Sequence, residues 1–156
     1  MYGYTMCYRE TKDPQFLKQA EAIARYMLNH PHMPTDLVPY YDFDAPGIPN
    51  EPRDVSAAAV MASALYELST YSTNLPYRAK ADQVTNSLAK QYRSPIGQNH
   101  GFLLLHSTGS KNSEIDVPLI YADYYFLEAL LRSKKLNEKK PLFDLTLASL
   151  LKKEKS

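Results

Sequence analysis

The chain has 156 residues, a length that fits one domain with an apolar core. Hydrophobic residues make up 44% and charged residues 22%, as in ordinary globular proteins. Its 18 basic and 17 acidic residues nearly cancel, whereas nucleic-acid-binding proteins usually carry a basic excess, so we predict no nucleic-acid partner. No apolar stretch is long enough to cross a bilayer, so we predict no membrane partner.

The first thirty residues predict two helices joined by a short link. Residues 2–11 have the character of the end of a helix, and residues 14–29 place their apolar side chains along one stripe of a second helix. Asp13 and Pro14 supply an N-cap and the proline favoured in a first helical turn. The chain therefore begins with a helical hairpin.

A connection rich in rings, acids and prolines precedes the next helix. Residues 40–54 read YYDFDAPGIPNEPRD, and their prolines exclude a continuous helix. The acids have two explanations: they cap helix ends and pair with Arg53, or they contribute to a binding site. Asp42 and Asp44 lack the ligand spacing of a calcium loop, so we predict no metal site there.

Four further helices are predicted from Asp54, which is placed to cap the first of them. Residues 54–71 are small and apolar on all sides, which is typical of a buried helix, whereas residues 76–92 are amphipathic. Residues 117–132 are again apolar almost throughout. Residues 140–153 are amphipathic, end in lysines and lead into a tail that we predict to be solvated.

Buried and amphipathic helices alternate along the chain, and so do short and long connections. The Asp-Val pairs at 54–55 and 116–117 lie 62 residues apart, a spacing that fits one helical hairpin per repeat. Such hairpins stack into a solenoid or close into a toroid of inner and outer helices. We therefore predict an all-α fold whose long loops, 30–53 and 94–115, leave the same face, at the N-terminal ends of inner helices.

The second long loop carries a dense set of polar side chains close to the start of a predicted inner helix. Such a set suits a carboxylate, a sulfate or sugar hydroxyls. Its members include His106, Ser107, Ser110 and Lys111. The alternative is a polar surface loop in which Ser113 or Asp116 caps the next helix. No nucleophile-elbow, phosphate-loop, zinc-protease or paired-cysteine motif accompanies these residues.

Three separated blocks of the sequence resemble, in order, the C-terminal part of the unsaturated glucuronyl hydrolases, glycoside hydrolase family 88. The blocks are YGYTMCYRET, VPYYDFDAPGIPNEPRDVSAAAVMASALYEL and GFLLLHSTGSKNSEIDVPLIYADYYFLEALLR, spread over nearly the whole chain. The resemblance implies αα-hairpin repeats that form about half of an (α/α)6 barrel, or toroid. It also implies a bacterial hydrolase that releases an unsaturated uronic acid from glycosaminoglycan-type oligosaccharides.

The implied chemistry is hydration of the C4=C5 double bond, followed by opening of the sugar ring. In that family a single aspartic acid serves as acid and base, and no cofactor or metal is implied. Family members are much longer, and their catalytic aspartates precede the YGY segment, which here follows Met1 directly. We therefore expect residues 1–156 to be the C-terminal segment of one catalytic domain, without a catalytic residue, whose partner is the missing N-terminal half of the barrel.

The resemblance implies substrate-binding residues in this sequence, whereas it implies no catalytic ones. Some family members bind a substrate sulfate through a Ser-x-x-Ser-x-Lys pattern; Ser107 and Ser110 supply the serines here, while Lys111 stands one place early. The resemblance thus implies a loop contact to an unsaturated oligosaccharide without fixing a sulfate preference. Tyr41 and Asp42, in the first loop, are expected to form and support a wall of the same sugar site.

Two alternatives to this function stay open on the sequence. One is a non-catalytic helical-repeat module that binds carbohydrate through the same loops. The other is a segment of an unsaturated rhamnogalacturonyl hydrolase, which shares the architecture. Localisation stays open between bacterial cytoplasm and periplasm, because any export signal would lie in the expected N-terminal half.

Overall fold

The computed structural model describes residues 1–143, which form five α-helices, one short 3-10 helix and no β-strand. Their bounds are α1 Tyr2–Thr11, α2 Pro14–Leu28, α3 Val55–Leu68, α4 Tyr77–Gln91, α5 Ile120–Asn137 and, for the 3-10 helix, Asn99–Gly101. The predicted all-α fold is confirmed for these residues. Residues 140–143 are not helical, and the rest of the helix predicted at 140–153, with its tail, lies outside the described residues.

The caps of α2 and α3 form as predicted. Asp13 accepts a hydrogen bond from the backbone N–H of Gln15 at 2.9 Å, with Pro14 in the first turn. Asp54 accepts one from the N–H of Ser56 at 3.0 Å. Each aspartate satisfies a backbone donor that has no partner inside its helix, which fixes where the helix begins.

The start of α5 differs from the prediction. Val117 forms two backbone hydrogen bonds with Ser107, of 2.9 and 3.1 Å, and this pairing holds it in extended conformation outside the helix. No loop side chain caps α5, whose N-cap is Leu119, so the interpretation of Asp116 as a cap is wrong. The 62-residue offset fails at the helix starts as well, because α3 and α5 begin 65 residues apart.

The helices form two layers. The helix α3 packs against each of the other four, while α1 contacts α2 and α4 contacts α5. Twelve of the 14 residues of α3 are buried, because its small side chains let neighbours approach on several sides. The inner helices α1, α3 and α5 thus alternate with α2 and α4. The outer-to-inner connections are the long ones, loop 1 (residues 29–54) and loop 2 (residues 92–119), as predicted.

A buried charged network joins the three inner helices. Glu67 on α3 is 1% exposed and pairs with Arg9 of α1 and Arg132 of α5, each at 3.2 Å. Arg132 also donates to the backbone carbonyl of Ser63 at 2.7 Å. Burial raises the pKa of Glu67, although both arginines act in the opposite direction. The network therefore holds α1, α3 and α5 in one arrangement, since each charge depends on its partners.

One face of α5 is apolar and exposed. The other face is buried in the core through Ala122, Phe126 and Ala129. The exposed side, called here the α5 apolar face, consists of Ile120, Tyr121, Tyr124, Leu127, Leu130 and Leu131. Contiguous apolar surface of this kind usually marks an interaction site. The helix is therefore only partly covered by residues 1–143.

Candidate functional site

The two long loops meet at the start of α3. Asp54, the N-cap, also accepts a hydrogen bond from the backbone N–H of Thr108 at 3.4 Å. The hydroxyl of Thr108 donates to the carbonyl of Arg53 at 3.0 Å, and the N–H of Val55 donates to the carbonyl of His106 at 3.2 Å. These bonds confirm the prediction that both loops lie on one face, at the N-terminal end of an inner helix.

An ion pair that the sequence analysis missed holds loop 1. Arg53 contacts Asp36 at 2.5 Å and donates to the carbonyl of Val38 at 2.9 Å. Its guanidinium carbon lies 5.0 Å from the ring centroid of Tyr40. The second carboxylate oxygen of Asp36 accepts a bond from the hydroxyl of Tyr92, in loop 2, at 2.8 Å. Burial and that bond together raise the pKa of Tyr92 to about 12.

Acids of the proline-rich stretch have local partners. Asp42 accepts the backbone N–H two residues further on, and Glu51 accepts the N–H of Gly47, both at 2.9 Å. These bonds turn the loop back on itself. The prediction that acids here cap helix ends is confirmed for Asp54, whereas Arg53 pairs with an acid upstream of the stretch.

His106 and Asp116 face each other across loop 2. Nδ1 of the imidazole lies 2.5 Å from Oδ1 of the carboxylate, and the side chains are 48% and 60% exposed. A carboxylate only accepts hydrogen bonds, so Nδ1 carries the proton and, in the neutral imidazole, Nε2 keeps its lone pair for a ligand. Both residues have left-handed backbone angles, φ 67° and 56°. Non-glycine residues rarely adopt such angles, which cluster at functional sites.

The other predicted donors of loop 2 differ in exposure. Ser107 is fully buried, and its hydroxyl has no hydrogen-bond partner among residues 1–143. Ser110 is half-buried in a tight turn, where its N–H and that of Gly109 both donate to the carbonyl of Glu114, at 3.4 and 2.9 Å. Lys111 is exposed next to this turn. Of these three predicted donors, Ser110 and Lys111 lie at the tip of the loop and Ser107 is enclosed within it.

Tyr41 and Asp42 lie on the loop 1 side of the face, half-buried and exposed respectively. The N–H of Tyr41 donates to the carbonyl of Pro52 at 3.0 Å, which closes the loop. Within residues 1–143 no hydrogen bond or ion pair joins either residue to the four predicted donors of loop 2. The loops touch through other residues, which the sequence analysis missed.

Asp123 of α5, also missed, holds the inner part of loop 2. Its two carboxylate oxygens accept the N–H groups of Leu103 and Leu104 at 2.8 and 3.0 Å. Leu104 is fully buried. A single acid within the apolar run IYADYYFL was the available signal, because a buried carboxylate in such surroundings needs fixed donors.

The described site offers hydrogen-bonding groups and charges. Residues 1–143 contain no group of three or more His, Cys, Asp or Glu that could hold a metal ion. Within the same residues, no helix combines the length and apolar character that crossing a membrane requires. Recognition of a polar ligand by side-chain and backbone hydrogen bonds is the chemistry that this arrangement supports.

Comparison with known proteins gives no matching family model but several relatives. The unsaturated glucuronyl hydrolase of Formosa agariphila is 50% identical over 139 residues, and the unsaturated chondroitin disaccharide hydrolase of Streptococcus pyogenes serotype M1 is 32% identical over 142 residues. A crystal structure of an unsaturated glucuronyl hydrolase specific for heparin matches with a TM-score of 0.85 and 46% identity, over 93% of this chain and 39% of that one. The chain is homologous to part of the unsaturated glucuronyl hydrolases.

The alignments cover 87% and 86% of the chain but only 35% of each curated relative, so the chain spans about a third of their length. Its helical hairpins match part of the helical toroid of the unsaturated glucuronyl hydrolases. The predicted family resemblance and fold class are therefore confirmed. None of these relatives favours the rhamnogalacturonyl hydrolase or the non-catalytic module as an alternative.

Proposed function

We propose that residues 1–156 are the C-terminal segment of an unsaturated glucuronyl hydrolase catalytic domain. The whole protein would release an unsaturated uronic acid from glycosaminoglycan-type oligosaccharides by hydrating the C4=C5 double bond. The observation that carries this proposal is the 50% identity to the Formosa agariphila relative across 87% of the chain. The names of the relatives, which mention glucuronyl groups, chondroitin disaccharide and heparin, supply the substrate class.

In this proposal the segment binds the sugar, and the catalytic aspartate lies outside it. Two acids close to His106 and Ser107 are engaged in other contacts, which supports that division: Asp54 caps α3 and Asp116 contacts His106. The buried hydroxyl of Ser107 has no hydrogen-bond partner among residues 1–143, which leaves it as a donor for a ligand. The proposed substrate contacts are Tyr41, Asp42, His106, Ser107, Ser110 and Lys111.

The α5 apolar face would pack against further helices of the same barrel. Ile120 and Tyr124 are 70% and 60% exposed, and burying such side chains contributes about 1.5–3 kcal/mol each. Closing a helical toroid brings additional hairpins against a helix exposed in this way. The N-terminal half of the barrel is therefore the proposed partner of residues 1–156.

A chimaera tests this function. We would replace the aligned 139-residue segment of the Formosa agariphila relative by the corresponding part of this chain. The chimaera should hydrate the conjugated double bond of an unsaturated disaccharide. The reaction is measured as the loss of the absorbance of that double bond. His106→Asn should lower kcat/KM about tenfold, the equivalent of one hydrogen bond of about 1.4 kcal/mol.

The control is His100→Asn, a second exposed histidine in loop 2 that also has a left-handed φ, of 52°. Asparagine tolerates this backbone conformation at both positions, so the pair differs mainly in the side chain's neighbours. A folded chimaera without turnover would contradict the function. Equal kinetics for the two variants would contradict the role of His106.

A further inference from the structure

A cluster of rings lies where α2 runs into loop 1. His30 and Phe43 stack, with ring centroids 4.3 Å apart and planes 18° apart. Tyr26 stands nearly perpendicular to both, 5.3 Å from His30 and 6.3 Å from Phe43. His32 approaches His30 edge-on at 5.5 Å, and its Nδ1 lies 2.5 Å from the carbonyl oxygen of Phe43. These contacts fix how loop 1 leaves α2.

Packing in the protein explains the positions of the His30 and Phe43 rings but not the exposed ring of Tyr26. The first two are half-buried and stack on each other, whereas Tyr26 is 59% exposed. Its contacts involve rings at steep angles, which leaves most of its own ring in water. An exposed aromatic ring whose neighbours limit its orientation can receive a flat, partly apolar ligand at low entropic cost.

Tyr26 also lines an open cavity of about 560 Å³ on the surface of α2. This volume falls in the range of about 300–1,000 Å³ that small-ligand sites occupy. The cavity is lined by Ala22, Arg25, Tyr26, Asn29, His30 and Pro31. Arg25 is exposed, and among residues 1–143 its guanidinium forms no ion pair or hydrogen bond. An aromatic face, a cation without an ion-pair partner among residues 1–143 and an amide therefore share one cavity.

The side chains of the cavity favour an acidic sugar over a simple anion. The side-chain amide of Asn29 can donate hydrogen bonds to sugar hydroxyls and accept hydrogen bonds from them. A pyranose ring can lie on Tyr26 while a uronate carboxylate pairs with Arg25 through two parallel hydrogen bonds. A free phosphate or sulfate would use only the cation.

We propose that this cavity is a second binding site for uronate-bearing oligosaccharides, apart from the donors of loop 2. None of its lining residues belongs to the contacts proposed for the hydrolytic site. The ligand class follows from the ring of Tyr26, the guanidinium of Arg25 and the amide of Asn29, so this inference goes beyond the proposed function and does not depend on it. The site would hold an acidic chain at the protein surface.

Calorimetric titration of the whole chain tests this site. The ligand is a saturated oligosaccharide of alternating glucuronic acid and N-acetylglucosamine, which lacks the double bond on which the proposed activity acts. We expect binding that weakens at least tenfold in Tyr26→Ala and in Arg25→Gln. A neutral cello-oligosaccharide of equal length should bind at least tenfold more weakly than the acidic ligand.

The control is Tyr4→Ala, because Tyr4 is 41% exposed on α1, outside both the cavity and the α5 apolar face. It should leave the affinity unchanged. Circular dichroism should report the same thermal unfolding for the Tyr26 and Arg25 variants as for the parent chain, since both side chains are exposed. The same titrations in the chimaera provide a second reading in a longer protein.

Three outcomes would overturn the second site. They are absence of binding by the folded chain, unchanged affinity in both cavity variants, and equal affinity for the neutral ligand. Binding lost in His106→Asn but kept in Tyr26→Ala would also overturn it, because loop 2 would then account for the affinity. The proposed hydrolytic function would survive that last result, so the two failures are distinguishable.

Discussion

Asp54 connects α3 to loop 2: the carboxylate that caps the helix also accepts the backbone N–H of Thr108, at 3.4 Å. One side chain thereby determines where an inner helix begins and where the loop with the predicted sugar donors lies. Folding of α3 and placement of loop 2 are consequently coupled.

Replacing Asp54 by Ala should lower the free energy of unfolding by about 2 kcal/mol, the upper end of the range for a lost cap, because the loop loses its anchor too. Asp13→Ala is the matched control, since Asp13 caps α2 through Gln15 alone. Its expected loss is about 1 kcal/mol. Urea denaturation of both variants measures the difference, and equal losses would contradict the coupling.

The buried ion-pair network predicts that the stability losses from substituting Glu67 and Arg132 are not additive. Arg132→Met leaves Glu67 in apolar surroundings with Arg9 as its remaining ion-pair partner, and the expected loss of stability is about 3–5 kcal/mol. Combining it with Glu67→Leu removes the stranded charge, so the double variant should lose less than the two single variants together. Chemical denaturation of the parent chain, the two single variants and the double variant measures the interaction energy between the two residues. Additive losses would contradict an energetic link between Glu67 and Arg132.

Stability should fall as the pH rises from about 10 to about 12. Burial raises the pKa of Tyr92 and of Tyr2 to about 12, whereas an unperturbed tyrosine ionises near 10. The folded state therefore holds protons that the unfolded chain loses first. This contribution is complete below pH 10 and disappears as the pH passes the folded pKa.

Tyr92→Phe provides the test of this pH dependence, because phenylalanine cannot ionise. The variant should be less stable at neutral pH, having lost its bond to Asp36, but its stability should fall less steeply above pH 10. Tyr26→Phe, at an exposed position, should leave the slope unchanged. Unfolding free energies measured from pH 8 to pH 12 with the same slope in all three proteins would disprove this explanation.

The α5 apolar face should make the chain self-associate when no further helices cover it. Tyr124 and Leu131 are 60% and 53% exposed, and substituting both by lysine should shift sedimentation-velocity profiles toward the monomer. Tyr26→Lys changes an equally exposed side chain outside the face and should have little effect. If the double variant sediments like the parent chain at every concentration, the face is not an association surface.

Local sequence patterns predicted α1 to α4 to within a few residues, because apolar stripes, caps and prolines act over one or two turns. The start of α5 could not be obtained in this way. Val117 is held extended by backbone bonds to Ser107, and His106 and Asp116 on either side of that pairing adopt positive φ. Such a pairing depends on how a loop folds back, and no helical periodicity encodes it.

The candidate site was predictable as two loops on one face, since alternating short and long connections determine which ends of the helices meet. The residues that join the loops were not predictable. Asp36 and Tyr92 are 56 residues apart, and neither stands out in the sequence, although in space Asp36 contacts both Tyr92 and Arg53. Asp123 is different, because a lone acid in an apolar helix could have been recognised.

The most direct test of the central claim is an absorbance assay on residues 1–156 alone. An unsaturated chondroitin disaccharide loses the absorbance of its conjugated double bond when it is hydrated. If the catalytic aspartate lies outside this segment, the folded chain should leave that absorbance unchanged at concentrations where the chimaera consumes the substrate. Robust turnover by the chain alone would contradict the claim and would place a catalytic acid within these 156 residues.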